Sequence, residues 1–473
     1  MSSSREQFGS RLGFILAAAG SAVGIGNMVG FPVAATKNGG GAFLLIYAIF
    51  VAFICLPVML AEMSVGRHSR KDPLGAYSTM SNNHGPWKLA GWLSIITPFM
   101  IAVFYLVITV WIFGYLFQTV TGNLTMLANP ATFGSFINNY NLFYYMLAVL
   151  AIVYLILQGG VKQGIEKAAK VMMPALFIML LGLVVFVLTL DNAFAGVKYY
   201  IIPDFSKITA SVVSAALSQA FFSLSLGMGI MITYGSYLDK KSDVPGSAKM
   251  VALLDTAVAF IAGLVILPAV FSFNPNIDTS TLSDSSVGMI FTFLPKIFLA
   301  LQADIGYIGA SIVASLFFIL VFFAAITSMV SIFEVPVSAL MEEKKYSRRK
   351  ALSLLGVLLV LMSMMAATSF GITDLLTNFV SYAEQQKSFF DVIIDVFYDT
   401  ILPLNGFLIC VFVIYRWKKA EFNKELDNGS PSYENSWFER YVNFSVGTFI
   451  PVILLLVFIN TVALKYFGAA LIG

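Results

Sequence analysis

Histidine, cysteine and charge are all scarce in this 473-residue chain. It has two histidines, two cysteines and 11% Asp, Glu, Lys and Arg, where a soluble domain of this size carries about 25% charged residues. Cys55 and Cys410 both fall in apolar stretches, which argues against a disulfide framework and a thiolate metal site. His68 and His84 share one polar loop, leaving no histidine at membrane depth for a zinc centre or an intramembrane hydrolase. There is no basic tail to suit a nucleic acid, and no short apolar segment with a cleavage site to suit a signal peptide. The charged residues lie between long apolar runs rather than within them, and 59% of the chain is hydrophobic. This is the composition of a polytopic membrane protein.

About 20 apolar residues carry a helix across the hydrocarbon. On that basis the sequence predicts eleven spans, near 11–36, 41–65, 88–120, 142–158, 165–190, 211–237, 247–272, 306–341, 348–369, 389–416 and 443–469. The piece 288–301 is too short to span and reads as an external loop helix. An N-terminus in the cytoplasm puts 22 of the 28 Lys and Arg on the inner side, as the positive-inside rule requires. Only Lys37, Lys198, Lys207, Lys296, Lys387 and Lys465 are then external. The C-terminus is placed outside, and the stretch Arg416 to Arg440 reads as a partly flexible cytoplasmic loop.

Two spans are poorly suited to simple crossing. The first holds Gly20, Gly24, Gly26 and Asn27 at its centre, and the sixth holds Gln219, Ser223, Ser225, Gly227 and Gly229. Each interior glycine lowers helix stability by about 1 kcal/mol relative to alanine. The two segments occupy the same place in two five-span halves, the pattern of a transporter built from inverted repeats. Unwound backbone at that depth offers carbonyls to a cation and N–H groups to a carboxylate. Packing of small residues between helices is the alternative reading of any single glycine. Asp255 is a separate signal, because an acid inside an apolar span needs a partner or an ion.

The runs Arg11-Leu12-Gly13, Gly20 to Asn27, Phe31-Pro32 and Asn38 to Phe43, with Gln219 to Gly229 and Thr327-Ser328, resemble the neurotransmitter:sodium symporters over nearly the whole chain. The resemblance implies an all-α polytopic membrane protein with a LeuT-type fold. Residues 1–190 would form one inverted repeat and 211–416 the other, followed by a loop over 417–442 and an eleventh helix in 443–473. It implies sodium-coupled uptake by alternating access, with two sodium ions and no enzyme chemistry. One ion would meet Ala22, Asn27, Ser223 and Asp255, and the other Gly20, Val23, Ala324, Thr327 and Ser328. The substrate would meet Ser21, Ala22, Gly24, Ile25, Gly26, Ile101, Tyr105, Phe222, Ser223, Ser225, Met228, Ser328 and Ile332. Gly24 stands where monoamine carriers of the family resemble one another in having Asp. A neutral, hydrophobic or aromatic amino acid is therefore the expected substrate. A different amine-like solute, or a non-transporting sensor of the same fold, is the alternative.

By the same resemblance Arg5, Tyr237 and Glu342 form an inner gate. The outer gate departs from the family, since Gly30 and Val29 replace the usual arginine before Phe31-Pro32. Asp391, Asp395 and Asp399 share one helical face, with Asp391 or Asp395 at the gate position, either unpaired or on a solvated rim. Tyr105 and Phe222 alone would then close the outer side. Ala259 stands where relatives carry a chloride-linked serine or an acid, with Tyr47, Gln219 and Ser223 retained. Asp255 is expected to supply the fixed negative charge, so no chloride is required. The setting is the plasma (cell inner) membrane, as a monomer or a loose dimer.

Overall fold

The computed structural model describes residues 5–273 and 286–469. Among the described residues, eleven helical stretches follow the order of the expected spans. Helix 1 is Arg11–Ala22 continued, after a 55° bend, by Gly26–Lys37. Helices 2, 3, 4 and 5 are Gly41–Ser69, Gly85–Val120, Leu142–Gln158 and Val161–Val187. Helix 6 is split into Ala210–Ser223 and Ile230–Ser236. Helices 7 to 11 are Val244–Phe273, Gln302–Lys344, Arg348–Thr368, Phe389–Asp427 and Trp437–Phe467. Among the described residues, eight helices are long and apolar enough to cross a membrane unaided, and the bent pair of helix 1 makes nine. Helix 4 is a shorter apolar helix of 17 residues. Helix 6 fails the length criterion because its break divides it.

The breaks follow from local chemistry. Helix 6 unwinds over 224–229, where Ser225, Gly227 and Gly229 have φ of 54°, 76° and 67°. A side chain at Gly227 would lie 2.6 Å from the Leu402 carbonyl oxygen, so both conformation and space call for glycine. The freed backbone is satisfied from neighbouring spans: the Gly227 N–H donates to Glu62 Oε1 at 2.7 Å, and its carbonyl accepts from Asn405 Nδ2 at 2.8 Å. Broken backbone in lipid is tolerable only with such partners. In helix 1 the Asn27 side chain accepts from the Gly24 N–H at 3.1 Å, and a π-helical turn covers Gly26–Gly30.

Helix 1 sits centrally, against helices 5, 7 and 8, and the second half of helix 6 packs on helix 2. Helices 3 and 8 pack along each other. The two breaks therefore face the helix 3–helix 8 pair at mid-height. Segment 289–300 is helical and tucks Met289, Ile290 and Phe291 into the protein, consistent with a loop helix that does not span.

The stretch Arg416 to Arg440 differs from the expected flexible loop. Helix 10 is interrupted at Lys418, with φ of 80°, and resumes as Lys419–Asp427. Helix 11 begins at Trp437. Phe422 and Leu426 are one turn apart and fully buried, which gives the polar-looking segment an apolar seam. Arg67, wholly buried at the end of helix 2, locks it down through Glu425 Oε1 at 2.6 Å, with further bonds to the carbonyls of Glu425, Asn428 and Ser242. The expectation judged charge content and missed the (i, i+4) apolar pair.

Candidate functional site

The residues nominated for the first ion converge. Asp255 of helix 7, Asn27 of helix 1 and Ser223 of helix 6 are all buried. Asn27 Nδ2 donates to Asp255 Oδ1 at 2.7 Å and to Ser223 Oγ at 2.9 Å. Ser223 Oγ donates to Asp255 Oδ2 at 2.8 Å. Tyr47 of helix 2 completes the cluster, its hydroxyl 3.0 Å from Ser223 Oγ and 3.3 Å from Asp255 Oδ2. Among the described residues no cationic side chain pairs with Asp255; its partners are neutral donors. A buried carboxylate in that position calls for a cation. The oxygens around it form a hard donor set that suits a hard cation such as sodium.

The second cluster lies on the other side of the helix 1 break. Ser328 Oγ is 3.1 Å from the Ser21 carbonyl oxygen, 3.4 Å from that of Val23 and 3.5 Å from that of Gly20. Thr327 Oγ1 donates to the Ala324 and Phe323 carbonyls at 3.1 and 3.0 Å. Helix 8 thus brings two hydroxyls and a carbonyl to the unwound carbonyls of helix 1. Close approach matters here, since a side chain on Gly20 would come within 3.3 Å of Thr327 Cβ and Met173 Sδ.

Between the clusters lie the nominated substrate residues. Tyr105 OH accepts from the Ile25 N–H at 3.3 Å. Ser225 Oγ donates to the Ser21 carbonyl at 2.9 Å, and its oxygen is 3.5 Å from Ser21 Oγ. A Cβ placed on Gly24 would stand 2.8 Å from Ser328 Oγ and 2.9 Å from Tyr105 Oη. Gly26 is tied to helix 6, its carbonyl accepting from Gln219 Nε2 at 3.1 Å. Ile101, Met228 and Ile332 are buried in the surrounding apolar core. Phe222 stacks on Tyr398 of helix 10, ring centroids 3.8 Å apart and planes 4° off parallel.

The proposed inner-gate residues also meet, on the face that carries the N-terminus. Arg5 pairs with Glu342, donates to Ser236 Oγ at 2.8 Å and lies 4.9 Å over the Tyr237 ring. Glu342 also accepts the Asp72 N–H at 2.8 Å. Burial, then the Glu342 charge, pushes the Asp72 carboxyl above the usual range. These charges are not solvated: Arg5 and Glu342 side chains are 15% and 22% exposed. A cavity of about 550 Å³ opens beside them, lined in part by Arg5, Tyr237, Glu342 and Arg348.

Several partners in this network were missed from sequence. Tyr237 OH donates to Glu334 at 2.7 Å, and Arg348 grips Glu334 through two bonds of 2.8 Å while also reaching Glu6. Glu334 and Glu62 are acids within apolar spans, so the rule that singled out Asp255 applies equally to them. Removing one member of a buried pair costs about 3–5 kcal/mol. Arg348→Met should therefore lower the thermal unfolding midpoint clearly, and Arg348→Met with Glu334→Gln should restore much of it.

The acids of helix 10 lie on the opposite face; Asp391 is exposed, as on a solvated rim, but the structure corrects the expectation of an unpaired or solvated acid at Asp395. Asp395 is buried and fully engaged: Lys465 Nζ at 2.7 Å, Tyr382 OH at 2.8 Å and Lys387 Nζ at 3.5 Å. Lys465 also bridges to Asp399 at 2.7 Å. Asp391 closes a capping box with Ser388 at the start of helix 10. The lysine that pairs the acids is more than sixty residues away in sequence, and no short-range pattern points to it.

The comparisons with known proteins agree with this geometry. The model of the Sodium:neurotransmitter symporter family matches residues 5–135 and 132–469. The chain is 33% identical over 471 residues to an uncharacterized sodium-dependent transporter, YhdH, of Bacillus subtilis (strain 168), covering 98% of both chains. It is 35% identical over 393 residues to another, MJ1319 of Methanocaldococcus jannaschii, covering 80% of this chain and 78% of that one. The crystal structure of MhsT in complex with L-phenylalanine superposes with a TM-score of 0.83 at 39% identity, covering 96% of this chain and 99% of MhsT. The spans form a LeuT-type fold, the relatives are transporters rather than enzymes, and sodium is the ion they use. This chain is a multi-pass membrane protein that belongs to the sodium:neurotransmitter symporter family.

Proposed function

We propose that this transporter takes up a neutral amino acid with a hydrophobic or aromatic side chain, together with two sodium ions and without chloride. The observation that carries the reading is the crowding at Gly24. Ser328 and Tyr105 stand where the first atom of any side chain there would go. That crowding keeps a protein side chain out of the helix 1 break, and the substrate's own carboxylate would meet the Tyr105 hydroxyl and the backbone N–H groups beside it. The ammonium group then faces the unwound carbonyls of helix 6, and the side chain faces Ile101, Phe222, Met228 and Ile332. That MhsT holds L-phenylalanine supports the same class. Asp255 provides the fixed negative charge beside the first ion, which makes a chloride ion superfluous.

The reading includes alternating access. Residues 1–190 and 211–416 act as inverted repeats, and helices 1, 2, 6 and 7 rock against the rest. With the N-terminus in the cytoplasm, the Arg5–Glu342 network is the inner gate. Each sodium ion entering adds about 2.3 kcal/mol per 100 mV of membrane potential.

Thermal unfolding of the purified transporter against the common amino acids, with sodium or choline, tests this. A ligand at 100 times its Kd adds about 2.7 kcal/mol of stability. Hydrophobic or aromatic amino acids should raise the midpoint only with sodium, and uptake should survive replacement of chloride by gluconate. A monoamine such as dopamine outperforming every amino acid would overturn the substrate class, and uptake lost in gluconate would overturn the role of Asp255.

A further inference from the structure

We propose that the outer lid of this transporter is an aromatic clasp, Phe222 on Tyr398, held in register by Lys465 of helix 11. The inference rests on the orientation and the substrate position proposed above. Three observations lead to it. The stack joins helix 6, in the half-broken moving element, to helix 10, with centroids 3.8 Å apart and nearly parallel planes. It is the tightest ring pair among the described residues, and it sits at the last turn of helix 6 before the break that forms the site. Tyr398 is also braced from the side by Phe104, edge-on at 5.7 Å, next to Tyr105 of the site.

The second observation is the backbone under Tyr398. Residues Ile394–Ile401 form a π-helical segment. Such segments are rare and concentrate at functional positions. The widened turn puts Asp395, Tyr398 and Asp399 close together. Lys465 ties down both acids at 2.7 Å. Tyr382 and Lys387, from a two-stranded hairpin over 380–387, hold Asp395 from above, and Thr400 Oγ1 donates to the Asp395 carbonyl at 2.6 Å. The polar side chains that fix this segment belong to helix 10, helix 11 and the hairpin between helices 9 and 10. Helix 1 contributes nothing charged, since Val29-Gly30 precede Phe31.

The third observation is the space beside the clasp. A cavity of about 270 Å³ lies between helices 6, 10 and 11, with Ser218, Phe222, Asp399, Asn460, Thr461 and Lys465 on its wall. Phe222 borders this space, into which its ring would swing on leaving Tyr398. Tyr398 is thus a positioning residue for transport: it keeps Phe222 over the site while sodium and substrate are enclosed. Lys465 acts through it by neutralising the two acids on either side.

The test is accessibility, which needs no knowledge of the substrate. The reporter is Ile25→Cys, whose backbone N–H meets Tyr105, the neighbour of the Phe104 that braces the clasp, and the native Cys55 and Cys410 are buried. A membrane-impermeant maleimide is applied with sodium to intact cells and to inverted vesicles. Tyr398→Ala should speed labelling in intact cells about tenfold, the equilibrium equivalent of losing one aromatic pair. Tyr398→Phe should label at the parental rate, and Lys465→Met should fall between. If Tyr398→Ala does not fold, Tyr398→Leu carries the same expectation and Lys465→Met the intermediate one. Unchanged labelling in Tyr398→Ala, or faster labelling in Tyr398→Phe, overturns the clasp. A rise confined to inverted vesicles overturns the orientation and keeps the clasp. Failure of every amino acid to stabilise the parent would overturn the substrate reading without touching this result.

Discussion

Asp255→Asn should leave a folded transporter that has largely lost its response to sodium. The substitution conserves size, and the neutral side chain can still meet Asn27, Ser223 and Tyr47, which now surround the carboxylate at 2.7 to 3.3 Å. What it removes is the one formal charge in a pocket with no exposure to solvent. A hydrogen bond or ion contact to a charged group contributes about 1.5–3 kcal/mol. The sodium concentration giving half-maximal thermal stabilisation should therefore rise about 30-fold, at 1.4 kcal/mol per tenfold. Chloride should then stimulate the variant while leaving the parent indifferent, because a mobile anion can replace the missing fixed one. Thr327→Ala is the control: its hydroxyl serves the second cluster, where Ser328 and several carbonyls remain. A sodium response in Asp255→Asn equal to the parent's would refute an ion site at this carboxylate.

What could be read in advance follows from the range of the interactions. The breaks in helices 1 and 6 are local, written in glycines and polar residues within ten positions, and the structure has them where the sequence puts them. Asp255 is legible for the same reason: an acid among apolar neighbours has no cheap local solution. Glu62 and Glu334 carry that same signal, yet their partners, Gly227 and Arg348, belong to other segments. Glu62 satisfies the broken helix, and Glu334 joins the ion-pair network on the N-terminal face. The outer face was least legible. Lys465 meets Asp395 seventy residues away, and its pairing depends on how helix 11 packs, which no periodicity encodes. The helix at 419–427 shows the opposite error. Its charge suggests a solvated loop, whereas two apolar residues one turn apart and a buried arginine on the receiving helix are enough to dock it.

Gly24→Ala should separate the substrate from the ions. The added methyl would stand 2.8 Å from Ser328 Oγ and 2.9 Å from Tyr105 Oη, closer than real carbon–oxygen contacts. Neither neighbour yields freely: Ser328 is held among three carbonyls of helix 1, and Tyr105 accepts the Ile25 N–H. Overpacking of this kind costs about 1–3 kcal/mol. Because the displaced groups are those that would meet the substrate carboxylate, affinity for an amino acid should fall about 10- to 100-fold, as read by isothermal titration at saturating sodium. Stabilisation by sodium at the first cluster should persist, since Asn27, Ser223, Asp255 and Tyr47 are not the groups that the methyl displaces. Gly24→Asp goes further. It adds, on top of that clash, a negative charge beside the groups that would meet the substrate carboxylate, so zwitterionic amino acids should be rejected by like-charge repulsion as well, while the response to sodium at the first cluster remains. Retained amino-acid affinity in Gly24→Ala would mean that the carboxylate sits elsewhere, and that the missing side chain at Gly24 serves helix packing alone.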